Sequence, residues 1–188
     1  MVDLDSVLFF VSVSLPEQLL MAAFAWLILG NFQKVKLFKV FSVGVLGAVL
    51  FYIVRWLIPD LLYSVLPQLI IFTVLIFIAY KLNFIEAIIG SLITFVVFIV
   101  TQSTVLSTIF LITGLTKDDF DSNAYLAIAS AMIYFMVMFM LCYVFYKTKI
   151  NIHYLKGNTK DKLYINRIRI LVLQLSFGYL NLLIIYTL

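Results

Sequence analysis

The feature that most constrains this chain is a series of long apolar segments, which recur along the sequence and are separated only by short polar stretches. A helix rises about 1.5 Å per residue, so roughly 20 residues cross the roughly 30 Å hydrocarbon core of a bilayer. The 188 residues are 65% hydrophobic and 12% charged, whereas a soluble domain is about half apolar and about a quarter charged. The sequence therefore predicts an all-α, polytopic integral membrane protein.

The apolar segments predict a helical bundle of about six transmembrane helices. No linker rich in Pro, Gly or Ser divides the chain, which indicates one transmembrane domain over residues 1–188. The predicted helices cover residues 7–29, 40–58, 61–80, 84–112, 124–146 and 170–188.

Basic residues mark alternate connections between these helices. The connections at 30–39, at Lys81 and at 147–169 contain all but Arg55 and Lys117 of the 13 Lys and Arg, while the remaining connections carry Asp. The positive-inside rule places the basic connections in the cytoplasm. We therefore expect a multi-pass protein of the cell (plasma) membrane, with both termini extracytoplasmic.

The last basic connection is the largest concentration of positive charge. It could bind anionic lipid headgroups or a cytoplasmic signalling protein, although the topology alone also accounts for it. The basic residues of this cytoplasmic loop are Lys147, Lys149, Lys156, Lys160, Lys162, Arg167 and Arg169.

Two ionisable residues fall within the apolar segments, where charge is costly and often functional. Counted from the predicted cytoplasmic ends, Glu17 lies roughly 18 Å along the first helix and Arg55 roughly 22 Å along the second. One interpretation pairs them, with Asp60 as a competing partner for Arg55. In the other, Arg55 snorkels to the outer headgroups and Glu17 caps a helix.

Further polar side chains lie at a similar depth on other helices. They either hold the helices together by hydrogen bonds or line a pocket that opens outward. The candidates for such a ligand pocket are Glu17, Arg55, Gln68, Gln102, Ser130 and Asn181.

The first apolar segment contains a helix-start signal in its interior. The residues Ser14-Leu15-Pro16-Glu17 form a capping-box pattern, with Pro in the first turn where it is tolerated. Either the helix kinks at this point, or residues 7–13 lie separately from the helix that follows.

No arrangement of residues predicts catalysis. Cys142 and His153 are the single Cys and the single His, but the Cys lies in an apolar helix and the His in a polar loop. Metal-ligand spacings, hydrolase motifs and phosphate-binding loops do not occur in the sequence. We expect a non-enzymatic protein with no metal, no cofactor and no nucleic-acid partner.

The order of features resembles one membrane family. Ser14-Leu15-Pro16-Glu17 in the first helix, a Lys-rich first inner loop, and Arg167-Ile168-Arg169 before a helix with Gln174 resemble the sensor region of accessory gene regulator type, peptide-sensing histidine kinases. The resemblance implies a bundle that receives a secreted peptide and passes a helix movement to a cytoplasmic kinase. The chain departs from that pattern because it contains no kinase segment and because the predicted topology leaves Leu188 outside.

Three functions are compatible with these observations. The first is a sensor or receptor-like module that binds a small extracellular ligand, such as a peptide, in an outward-facing polar pocket and signals to a cytoplasmic partner. The alternative is a small membrane transporter or a substrate-binding transporter subunit. In the third, the polar residues only fix helix packing. The wide apolar faces would also permit a homodimer.

Overall fold

A computed structural model describes residues 7–29, 37–58, 61–114 and 123–148, and these residues form five helices. We number them α1 (Val7–Ile28), α2 (Leu37–Leu57), α3 (Leu61–Tyr80), α4 (Phe84–Thr113) and α5 (Ala124–Thr148). The described residues contain no strand, which confirms the all-helical prediction. All five helices are long and apolar enough to cross a membrane. The predicted helix at 170–188 lies outside the described residues.

The first five helices agree with the predicted ranges to within a few residues. The largest difference is at α2, which begins at Leu37 where the hydropathy pattern predicted residue 40. Gly114 ends α4 in a left-handed conformation with φ of 67°, which a glycine adopts without the steric cost of a Cβ.

The helix α1 is continuous but contains a π turn over Phe10–Ser14. The amide of Leu15 bonds to the carbonyl of Phe10, five residues back. Pro16 has no N–H to bond to the carbonyl four residues earlier, so the wider turn is a natural adjustment just before it. The segment 7–13 is therefore part of the helix, and the backbone adjusts its register there.

The capping box predicted at Ser14 is wrong. Ser14 has helical angles, φ −65° and ψ −42°, and its side chain makes no capping hydrogen bond. A cap requires a residue with non-helical angles, and the π turn has already carried the helix past this point. Glu17 is thus an interior residue of a long helix.

The bundle is built around α1, which packs against each of the other four described helices. Neighbours in sequence also pack together, and α5 closes the arrangement by contacting both α4 and α1. Between Gln18 and Leu29, α1 is buried almost throughout, whereas the other helices bury one face each. The central position of α1 brings its polar residues within reach of all the surrounding helices.

The closest helix crossing joins α1 to α2 at Gly44. A Cβ built on Gly44 would lie 2.6 Å from Leu19 Cδ2 and 2.8 Å from Leu19 Cα. One turn further along, a Cβ on Gly47 would lie 3.3 Å from Gln18 Oε1. The two glycines therefore allow the α2 backbone to lie directly against α1.

Two interhelical hydrogen bonds lie nearer the end of the bundle at which α3 ends and α4 begins. The Tyr80 hydroxyl donates to the Ala22 carbonyl at 2.9 Å, which ties α3 to the α1 backbone. The hydroxyls of Thr73 and Ser91 share a hydrogen bond of 2.6 Å between α3 and α4. Trp26 also meets the Tyr80 ring edge to face at 4.6 Å.

Candidate functional site

The bundle has a basic end, at which α1 ends and α2 begins, and an opposite end. Lys39, Lys81 and Lys147 lie at the basic end, and Lys81 and Lys147 are exposed. The opposite end is formed by the start of α1, the end of α2 and the loop after Thr113. The buried polar residues can be assigned levels between these two ends.

Glu17 lies within α1, where its side chain is half-buried against the surrounding helices. Its carboxyl group lies within electrostatic range of Arg55 of α2 and of Tyr134 of α5. The structure thus brings together the two ionisable residues that the sequence singled out. It adds Tyr134, whose ring also packs edge to face on Phe98 at 5.9 Å.

Gln18 is the second polar residue of α1 and is only 4% exposed. Its Nε2 donates to the sulfur of Met21 at 3.5 Å, a weak bond. Its Oε1 is buried against Gly47 and has no hydrogen-bond partner. Glu17, Gln18 and Tyr134 form an inner level of the site, so named because it lies nearer the middle of α1.

Arg55 and Gln68 lie farther toward the opposite end than the inner level. Arg55 follows Gly47, the residue opposite Gln18, by eight positions, which is about 12 Å of helix. Gln68 precedes Leu75, which also faces Gly47, by seven positions or about 10 Å. Both therefore lie level with the π turn of α1, where Phe10 meets Tyr52 at 5.5 Å.

Ser107 of α4 reaches the same height. A Cβ on Gly90 would touch Leu29 of α1 at 3.0 Å, and Ser107 follows Gly90 by 17 positions. Counting 17 positions back from Leu29 along α1 leads to Ser12, within the π turn. Arg55, Gln68 and Ser107 thus form an outer level at the height of this turn, on α2, α3 and α4.

Every one of these residues except Glu17 has a buried polar atom without a hydrogen-bond partner. Buried polar groups are bonded in the great majority of cases, and an unbonded one costs about 1–3 kcal/mol. Such atoms mark positions at which a water molecule or a polar ligand would gain a hydrogen bond. The atoms are Gln18 Oε1, Tyr134 Oη, Arg55 Nε, Gln68 Nε2 and Ser107 Oγ.

The predicted matching depth of Glu17 and Arg55 is not what the structure shows. Their positions differ by about 10 Å along the bundle, because α2 begins at Leu37 and crosses α1 at Gly44 and Gly47. The Cα–Cβ bonds of a helix tilt toward its N-terminus. Glu17 therefore leans toward the opposite end and Arg55 toward the basic end, so the two side chains approach across this gap.

The remaining predicted pocket residues fall in different places. Ser130 is buried on α5 and donates to the Ala127 carbonyl at 2.8 Å, so it is satisfied locally. Gln102 is exposed on α4, one turn after the buried Phe98. Asn181 and Asp60 lie outside the described residues, as do His153 and all the predicted loop cations except Lys147.

Sequence reasoning missed Gln18, Tyr134 and Ser107 as members of the site. Tyr134 stands in a run of aromatic and Met residues, which predicted packing. One signal was present for the glutamines: Leu15-Pro16-Glu17-Gln18-Leu19 and Leu66-Pro67-Gln68-Leu69 each place a glutamine within two residues after an interior proline. Such prolines free a backbone carbonyl and commonly mark irregular points in membrane helices.

The structure describes one of the two residues that the sequence analysis considered for catalysis. Cys142 is a free, buried thiol on α5. The described residues contain no group of three or more His, Cys, Asp or Glu that could hold a metal ion. The arrangement can bind a polar molecule through charge and hydrogen bonds.

Comparison with known proteins gives no family for the chain: no protein-family model matches it, and neither does a curated protein or a solved structure.

Proposed function

We propose that this chain is a multi-pass membrane protein of about six transmembrane helices that binds a small extracellular ligand between α1 and the helices around it. The observation that supports this most directly is the set of five buried polar atoms without hydrogen-bond partners, placed at two levels beside Glu17 and Arg55. A polar ligand would supply the missing partners. Helix packing alone would gain nothing from leaving them unbonded.

The orientation in the membrane supports access from outside. The exposed Lys81 and Lys147 lie at the basic end, which the positive-inside rule assigns to the cytoplasm. The outer level then lies in the outer half of the bilayer, nearer the extracellular surface than the inner level. A ligand arriving from outside would meet Arg55, Gln68 and Ser107 first.

We take the receptor-like function as the leading proposal, with signalling to a cytoplasmic partner. The central helix carries both the polar residues and the π turn, so a ligand bound there acts on the helix that every other described helix contacts. The basic end offers exposed cations to an intracellular partner. The resemblance to peptide-sensing histidine kinases agrees with this function and stays a prediction.

A transporter is the second candidate, and the irregular turn of α1 and the proline inside α3 favour it. α1 contains Pro16 with a π turn, and α3 contains Pro67 within the helix. Transporters commonly bind substrates at interrupted helices near the middle of the membrane. Uptake of labelled ligand into sealed vesicles separates the two candidates, since only a transporter accumulates it.

The proposed site is tested by cysteine accessibility from outside intact cells. In a Cys142→Ala background, Ser107→Cys should react with a membrane-impermeant maleimide, because a ligand site needs a water-filled path from outside. Gln102→Cys is the comparison position on the same helix, since its side chain is exposed. Protection of both positions in folded protein would contradict the proposed site.

A response assay then tests the role of the charge. Glu17→Gln should weaken the response to ligand while the protein is still made and inserted at a normal level. Glu86→Gln is the control, because Glu86 lies in the first turn of α4 at the basic end. Loss of folded protein in Glu17→Gln without a selective loss of response would favour structural packing.

A further inference from the structure

One face of the central helix α1 is less deeply buried than the others. Pro16, Leu20 and Ala23 are half-buried. Leu27, at 8% exposed, is the most exposed of the buried residues of this helix. Spacings of three and four residues bring these four side chains into one line along the helix. We call this line, formed by Pro16, Leu20, Ala23 and Leu27, the open strip.

The open strip lies between the sides of α1 that contact α2 and α5. Toward α2, Leu19 packs on Gly44. Toward α5, the Phe24 ring meets the Phe145 ring edge to face at 5.1 Å. At about 3.6 residues per turn, the strip points between Leu19 and Phe24 and away from Gln18.

The other four described helices enclose the rest of α1. α2 packs against α3, α3 against α4, and α4 against α5, so the four helices form a row around α1. Within the part of the chain that the structure describes, no extended contact joins α5 back to α2. The row is therefore open along the strip.

The predicted sixth helix, residues 170–188, has a face that suits this position. Gln174, Gly178 and Asn181 recur at spacings of four and three residues, so a helix would carry two carboxamides and a glycine on one face. Leu180 would lie on the opposite face. In membrane helices, small and amide residues are enriched where helices contact one another.

The heights of these residues agree with the open strip. α5 ends at the basic end, where α1 also ends, so the chain would re-enter the membrane there. With the first residue of the predicted helix opposite Leu29, and about 1.5 Å per residue on both helices, Gly178 falls within a turn of Ala23. Asn181 falls within a turn of Glu17. Two small residues would thus meet, which allows a close approach of the two backbones.

We propose that residues 170–188 form a transmembrane helix that lies on the open strip, between α2 and α5, with Gln174, Gly178 and Asn181 turned toward α1. The proposal rests on the sixth helix of the proposed function and adds its packing partner. A helix in this position gives α1 a protein neighbour on every side. It also shields the half-buried Glu17 from lipid, where an ionisable group is costly.

Disulfide cross-linking within the full chain in native membranes tests this packing. In a Cys142→Ala background, Ala23→Cys is combined with Gly178→Cys, and a protease site is inserted after Asn158 in the basic loop. The membranes are oxidised mildly and the loop is then cut. We expect the C-terminal fragment to stay attached until a reductant is added.

Matched controls change one member of the pair at a time. Leu180→Cys replaces Gly178→Cys at nearly the same depth but on the opposite face of the predicted helix, so the fragment should be released. Ile78→Cys replaces Ala23→Cys at a similar height on the exposed face of α3, and the fragment should again be released. Attachment through Ile78→Cys instead of Ala23→Cys would overturn the proposal.

The remaining outcomes separate this packing from the proposed function. Thr187→Cys, labelled by an impermeant maleimide outside intact cells, would show that the segment crosses the membrane. If it is labelled but neither the first pair nor Leu20→Cys with Asn181→Cys retains the fragment, the packing is overturned and the sixth helix stands. Cross-links only between two chains would assign the strip to a second copy and also overturn it. If Thr187→Cys reacts only after permeabilisation, the sixth helix fails as well.

Discussion

At the scale of single residues, the positions that tolerate replacement least are the two glycines at the crossing of α1 and α2. The relative positions of the polar residues on these helices depend on that crossing. Gly47 is opposite the carboxamide of Gln18, and Gly44 lies against the backbone of Leu19. Without these glycines α2 would stand farther from α1, and Arg55 would be farther from Glu17. The position of Arg55 relative to Glu17 is thus set by two glycines that precede Arg55 by about two to three turns of α2.

The first prediction concerns this crossing. Gly44→Ala should destabilise the folded protein by about 1–3 kcal/mol, because its Cβ would meet the Leu19 backbone, which cannot move aside as a side chain can. Unfolding in mixed micelles with increasing SDS measures the change. Gly47→Ala is the matched variant and should cost much less, since its nearest contact is the end of a flexible Gln18 side chain at 3.3 Å. Equal costs would contradict this account of the crossing.

The residues of the site also show what the sequence could predict and what it could not. Glu17 and Arg55 stand out because charge is rare in apolar segments. Gln102 looks equivalent to Gln68 in the sequence, yet Gln102 is exposed whereas Gln68 is buried, with only 5% of its surface exposed. The difference depends on which face of a helix meets its neighbours. In segments that are apolar all round, hydropathy contains little information about that face.

At the scale of helices, α1 differs from the other four because it combines burial with an irregular backbone. Its π turn is at the height of Arg55, Gln68 and Ser107. A π turn rotates the residues before it about the helix axis, relative to the residues after it. The side chains of residues 7–9 therefore point in different directions, relative to those of the inner level, than they would on a regular helix.

The second prediction tests this relationship. Pro16→Ala restores an N–H, so the π turn should relax to a regular helix and turn the first residues of α1 by about 100°. Phe10 would then leave Tyr52, which it now meets at 5.5 Å. In a Cys142→Ala background, Phe10→Cys and Tyr52→Cys should cross-link with a short bismaleimide, and Pro16→Ala should reduce the yield.

The matched control for this experiment is Pro67→Ala. Pro67 also lies inside an apolar helix, but α3 is a continuous α-helix from Leu61 to Tyr80. Its replacement should therefore leave the cross-linking of Phe10→Cys and Tyr52→Cys unchanged. A yield that Pro16→Ala does not lower would show that another contact holds the π turn in place.

The helices themselves were largely predictable, whereas their relative heights were not. Long apolar runs bounded by charged or polar residues give each helix to within a few residues. The height of Arg55 relative to Glu17 depends on where α2 crosses α1, and two glycines determine that crossing. The π turn was not predictable from hydropathy either, because the capping pattern at Ser14 indicates a helix start and the structure shows a helix interior.

At the scale of the whole molecule, the described bundle is apolar outside and contains its polar groups inside. Large hydrophobic side chains are exposed on the outer faces, such as Phe38 at 80% and Leu111 at 79%. In water such a surface would drive aggregation, whereas in a bilayer it is the surface that lipid covers. The positive-inside rule then predicts that the basic end, with the exposed Lys81 and Lys147, lies on the cytoplasmic side.

The third prediction is therefore about orientation. In a Cys142→Ala background, Asn123→Cys should react with an impermeant maleimide added to intact cells, because Asn123 is exposed just before α5 at the end opposite to the lysines. Lys81→Cys, exposed between α3 and α4, should react only after the cells are permeabilised. The reverse pattern would invert the topology and would place the outer level toward the cytoplasm.

The central position of α1 has a consequence for biosynthesis. Among the five described helices, α1 is first in chain order, so the ribosome delivers it to the translocon before any of the helices that surround it. Until α2 and α5 arrive, Glu17 and Gln18 have neither protein neighbours nor a ligand, and they must be held by the insertion machinery, by water or by lipid headgroups. We expect the nascent chain to depend on that shelter until α5 has been synthesised, because only then can the bundle close around its first helix.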